Sequence, residues 1–178
     1  MTKPFLMPQP ESRAGVRKPG MMVLPQGVER HPVPGGGSRA VPIFAGDQIT
    51  LQDVEGLQPI EMVFFGPDKR SDAAMLGAKG GRSPEGLIAA LTGHPSGKKV
   101  ISALEKTGFS IADADASLVF ESGSRAGETA SFQAVSDGLL IICAAGGAMD
   151  AHQQWAPSDV VLFITRINKR PSKDMSLV

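Results

Sequence analysis

AGDQITLQDVEGLQPIEMVFFG, residues Ala45 to Gly66, carries two β signatures one after the other. After the turn signal Ala45-Gly46-Asp47, Ile49 and Leu51 alternate with Gln48, Thr50 and Gln52. A period of two marks a strand with one buried face. Asp53 to Pro59 supplies Asp, Gly and Pro, which favour turns. Ile60-Glu61-Met62-Val63-Phe64-Phe65 follows, rich in β-branched and aromatic residues, and stops at Gly66-Pro67. Two strands joined by a short turn-prone segment predict a β-hairpin.

Working outward, the flanks add more strands. Val28 to Pro34 predicts a short edge strand and Ala40 to Phe44 another, with the Gly35-Gly36-Gly37 loop between them. A glycine triplet can cradle a phosphate when a helix follows it. No helical pattern follows here, and Pro42 removes a further amide, so the loop reads as a turn. Asp68 to Gly81 reads as irregular chain around Met75-Leu76. Ser83-Pro84-Glu85 predicts a helix start, with Ser83 as cap, Pro84 in the first helical position and Glu85 at the positive end of the dipole. That helix runs to Leu91. A second begins near Ser96 and stops at Gly108, with Val100, Ile101 and Leu104 at helical spacing.

Strands return at Ser117 to Glu121, Thr129 to Val135, Gly138 to Ala145 and Val160 to Ile164. GLLIICAA (138–145) is apolar on both faces, as a central strand should be. The sum is a mainly β chain with two short helices (α+β), expected as an antiparallel β-sandwich or distorted barrel. Three regions are expected: an extended Pro-rich arm over 1–27, a β-rich domain over 28–167, and a linker or tail over 168–178. The arm's Phe5, Leu6, Met21, Met22, Val23 and Leu24 suit docking on another domain or subunit.

Charge and composition exclude several classes. Lys and Arg total 18 and Asp and Glu total 18, with no basic stripe, so no nucleic-acid partner is expected. No apolar run reaches a bilayer-spanning length, and MTKPFLMPQPESR lacks the apolar region of a signal peptide. The single Cys143 suits a reducing compartment. A cytoplasmic location is therefore expected.

Few residues carry a catalytic pattern. Gly93 to Lys99 (GHPSGKK) fails as a nucleotide loop in its spacing, in Lys99 replacing the hydroxyl residue and in the helix preceding it. Lys98 and Lys99 read as a solvated helix face. His31, His94 and His152 lack H-x-H or H-E-x-x-H spacing, which leaves only a convergence of His94, His152 and an Asp as a zinc arrangement. Cys143, inside an apolar strand, reads as an inert hydrophobe in preference to a nucleophile paired with His152. Asp47, Asp53, Glu55 and Glu61 read as turn-forming or solvated carboxylates. Trp155 reads as closing one end of the core.

AGDQITLQDVEGLQ resembles the opening of the urea-carboxylase-associated family, metal-dependent enzymes acting on small C–N compounds. Met149-Asp150 through Trp155-Ala156-Pro157-Ser158-Asp159 resembles that family's end. The likeness is strongest to one subgroup, the domain standing first in large aminomethyltransferase-like proteins that include trimethylamine N-oxide demethylases. There a second, metal-bearing copy and a tetrahydrofolate-binding domain follow. Active copies of the family read D-V-x-G-x-Q-C-x-D, whereas Pro59 and Glu61 stand at the Cys and final Asp positions here. No His or Cys lies between Ser71 and Leu91, where active copies carry H-D-T and a Cys, and a later family Cys falls at Ala145.

The resemblance therefore implies a copy that kept the fold and lost the site, with no catalytic, cofactor-binding or metal residue of its own. Zinc or iron and tetrahydrofolate would belong to the parent protein. The expected partners are a downstream catalytic domain or homologous subunit, and a homo-oligomer. Two alternatives are a site-poor subunit of a heteromeric deiminase and a small-ligand module with its pocket near Trp155.

Overall fold

In a computed structural model, residues 24–93, 95–120, 124–145 and 157–167 are described. They form eight strands, two α-helices and one short 3-10 turn. The strands are β1 (Val28–Val33), β2 (Ser38–Ile43), β3 (Gln48–Asp53), β4 (Ile60–Phe65), β5 (Ala116–Val119), β6 (Thr129–Gln133), β7 (Gly138–Ala144) and β8 (Val160–Thr165). They divide into two four-stranded antiparallel sheets, ordered β1-β8-β3-β6 and β2-β7-β4-β5. The sheets pack face to face as a sandwich and do not close into a barrel.

The expected β3–β4 hairpin does not form. β3 pairs with β6 and β8, while β4 pairs with β5 and β7 in the other sheet. Burial explains the parting. β3 alternates between buried and accessible residues, whereas every residue of β4 is buried. Such strands need different surroundings, one wetted on a face and the other covered on both. The connection crosses between the sheets instead, turning through Gly56 (φ 91°) and Leu57 (φ 62°).

The two sheets bury distinct sets of side chains. Between them lie Ile49, Leu51, Leu162 and Ile164 from one sheet and Ile60, Met62, Leu140 and Ile142 from the other. The opposite face of β4 and β7 presents Val63, Phe65, Ile141 and Cys143 to a second cluster. Helices α1 (Glu85–Thr92) and α2 (Pro95–Lys106) close that cluster, with Leu87 and Leu91 buried against it. Phe65 meets Phe109 edge to face, ring centroids 5.2 Å apart. Gly97 lets the helices touch, since a Cβ there would lie 1.9 Å from the Leu91 carbonyl oxygen.

Both helices lie close to where the sequence places them, the first ending at Thr92, one residue past the expected Leu91, with Gly93 as its cap. Their caps differ. Ser83 makes no cap, and Pro84 stands one step outside α1 in the capping position without a side-chain bond. Gly108 (φ 91°) ends the turn after α2, as expected. The Asp68 to Gly81 region holds a 3-10 turn, Ala73–Leu76, capped by the Asp72 carboxylate accepting from the Ala74 amide at 2.9 Å. The Gly35–Gly37 loop is a turn, as expected, closed by the Gly37 amide donating to the Pro34 carbonyl at 2.8 Å.

Candidate functional site

The carboxylates in and beside the opening stretch are where the structure departs most from expectation. Asp47 and Asp53 do form turns, yet both are buried. One Asp53 oxygen accepts from the Gly56 amide at 2.9 Å, and the other accepts from the Gln58 amide at 2.9 Å and the Ser124 hydroxyl at 2.7 Å. It thereby folds the crossing between the sheets. Asp47 accepts from the Phe44 amide at 2.9 Å and from the guanidinium of Arg166. Arg166 also donates to both oxygens of Glu29, each at 2.9 Å. Burial opposes the Arg166 charge, but its bonds to Glu29 and Asp47 outweigh it and hold its pKa above the ordinary value. The same pairing holds the Glu29 carboxyl below its ordinary range. Only Glu55 of the four carboxylates is exposed as a solvated side chain.

Glu61 is not solvated. It points from β4 toward the helices, is 9% exposed, and stands opposite Cys143 in the β4–β7 register. Its two oxygens accept from the Gly86 amide at 3.1 Å and the Leu87 amide at 2.7 Å. The first turn of a helix has amides with no partner inside the helix. Glu61 supplies the acceptors that Ser83 was expected to supply, and adds a negative charge at the positive end of the dipole. Gly86 is required there, because a Cβ would come within 2.7 Å of the Ala145 Cβ and 3.2 Å of a Glu61 oxygen.

Cys143 lies beneath the same turn, its Sγ 3.6 Å from the Gly86 carbonyl oxygen. Burial, with the Glu61 charge adding to it, raises the thiol from an ordinary 9.0 to about 12. It therefore stays protonated near neutrality, unsuited to attack or to metal binding. Its reading as a buried apolar residue agrees with this placement.

Gln58 stands beside this pair. Its Nε2 donates to the Pro59 and Ala145 carbonyls, each at 2.8 Å, and its Oε1 accepts from the Ser158 amide at 2.8 Å. Every polar atom of the side chain is spent on backbone.

The positions singled out by the sequence resemblance, Pro59, Glu61 and Ala145, do not fit a metal ion. Pro59 and Ala145 have no donor side chain, and both Glu61 oxygens are bonded to α1. Among the described residues, no group of three or more His, Cys, Asp and Glu side chains could hold a metal ion. His31 lies on β1, 3.0 Å from Glu29 through Nε2, and away from this cluster. Lys98 and Lys99 are exposed on α2, as expected. His94, His152 and Trp155 fall outside the described residues, and with them the zinc arrangement, the Cys143–His152 pair and the Trp155 pocket. No described helix is long and apolar enough to cross a membrane.

What fold and cluster define together is a two-sheet sandwich whose helix-covered face is held by internal hydrogen bonds. No family model matches the chain. The crystal structure of a DUF1989 family protein from Silicibacter pomeroyi DSS-3 has a similar fold, with a TM-score of 0.50 at 14% identity, over 79% of this chain and 80% of that one. In sequence the chain is 35% identical, over 164 residues and 92% of its length, to the trimethylamine-oxide aldolase of Ruegeria pomeroyi. It spans only 21% of that relative.

Proposed function

We propose that the chain is a non-catalytic structural domain of a longer protein related to trimethylamine-oxide aldolase. The observation that carries this is Glu61, both of whose oxygens serve the first turn of α1. Coordination would require breaking those bonds, and the flanking Pro59 offers no replacement. The similarity to a fifth of a much longer relative supports a part played within a larger chain. In that larger protein, trimethylamine N-oxide would be cleaved to dimethylamine and formaldehyde, with tetrahydrofolate taking the one-carbon unit at a downstream domain. That domain would hold the zinc or iron. This one would pack against it and aid assembly in the cytoplasm.

The test is formaldehyde release from trimethylamine N-oxide by the 178-residue chain, with zinc or iron(II) and tetrahydrofolate supplied. No turnover and no stoichiometric metal after dialysis is the expected result. Turnover that Glu61→Gln abolishes while the melting temperature holds would overturn the reading.

A further inference from the structure

The four edges of the two sheets are not alike. β1 carries Glu29, Arg30 and Pro32, and β2 carries Arg39 and Pro42, charges and prolines that discourage strand addition. β5 is bridged by Arg82, whose amide donates to the Ala116 carbonyl at 3.3 Å while the Ala116 amide donates back at 2.9 Å. β6, Thr-Ala-Ser-Phe-Gln, has neither charge nor proline. Among the described residues, it pairs on its β3 side alone.

The direction of its free backbone groups follows from the bonds at its end. The Ala134 amide donates to the Asp47 carbonyl at 3.0 Å, toward β3, while the Val135 amide donates outward to the Met75 carbonyl at 2.9 Å. Strand geometry alternates, so the amides and carbonyls of Thr129, Ser131 and Gln133 face outward. The 3-10 turn ends this free stretch at Val135, which is 71% exposed. A groove of about 510 Å³ lies on the open face beside this edge, between Gln48 and Thr50 of β3, Ser131 and Gln133 of β6, and Leu76 and Val135.

We propose that this edge binds a second copy of the chain, β6 against β6 about a two-fold axis through Ser131. The strand is complementary to itself in that register. Ser131 meets its own copy, and Thr129 meets Gln133, so hydroxyl and amide groups oppose one another on the exposed face. On the other face half-buried Ala130 meets half-buried Phe132, small against large. No like charges are brought together within the ladder. The outward groups of Thr129, Ser131 and Gln133 each give and take one bond, and the interface is isologous. The two sheets join into one continuous sheet across the axis.

The test is sedimentation velocity of the 178-residue chain from about 5 to about 500 µM, since self-association depends on concentration. The expected mass climbs from 18.6 kDa toward twice that value. Ser131→Pro removes an outward amide that the monomer does not use, and should abolish the rise with the circular dichroism spectrum unchanged. Ser131→Lys, which sets two like charges on the axis, should weaken association about tenfold or more. Ser131→Cys should give a covalent dimer on mild oxidation, because residues facing each other in a ladder lie within disulfide reach. Cys143 is buried and should not cross-link. A chain that stays monomeric throughout, or a dimer indifferent to Ser131→Pro and Ser131→Lys, overturns the proposal.

Discussion

The outer faces of the two sheets solve opposite problems. On the β4–β7 side, Val63, Phe65, Ile141 and Cys143 are roofed by two helices, so the polar Glu61 among them must be satisfied internally. On the β3–β6 side, Gln48, Ser131 and Gln133 are exposed, and Thr50 bonds to Ser131 at 3.1 Å. Water can satisfy that face and cannot reach the other. The same residue type therefore counts for much on one side and little on the other.

The sharpest way to break this contrast is Phe65→Ala. It removes a fully buried ring from beneath the helices and should cost about 3–5 kcal/mol in urea unfolding. Glu61→Ala comes next, at about 1–3 kcal/mol, because it leaves the buried Leu87 amide and the half-buried Gly86 amide without an acceptor. Faster hydrogen exchange at Gly86 and Leu87 should accompany that loss. The effect of Cys143 is confined to alkaline pH. A thiol held protonated in the fold stabilises it fully below the unfolded value near 9.0, and that contribution is lost as pH rises through about 12. Between those values Cys143→Ala should flatten the fall of melting temperature with pH. Thr50→Ala, on the open face, should move stability by no more than about 0.5 kcal/mol.

Much of the fold was readable from the chain because strand periodicity is a local property. Alternation in Gln48 to Gln52 and the apolar run Gly138 to Ala144 each reported its own degree of burial. The same signal held the correction to the hairpin. Ile60 to Phe65 is apolar on both faces apart from Glu61, as a strand covered on both sides is, and such a strand is a poor partner for one wetted on a face. The turn-forming residues between the two strands favour a hairpin, and the difference in burial outweighs them.

Glu61 shows where local reading stops. Alternation correctly turns it away from the side chains between the sheets, but whether that side meets water depends on α1, which begins 24 residues later at Glu85. Nothing near Glu61 announces the helix, and Ser83 in turn looked like a cap because the true acceptor lies in another element. Asp53 was more legible. Asp, Gly and Pro between Asp53 and Pro59 already described a turn, and the structure adds Ser124 and complete burial.

Gln58 ties Ala145 to Ser158, and β8, which begins at Val160, lies between β1 and β3. Cleavage of the peptide chain anywhere from 146 to 157 would therefore sever connectivity without releasing the last strand. Two fragments would persist as one particle, dissociating only on denaturation, and separately produced halves should reassemble on mixing.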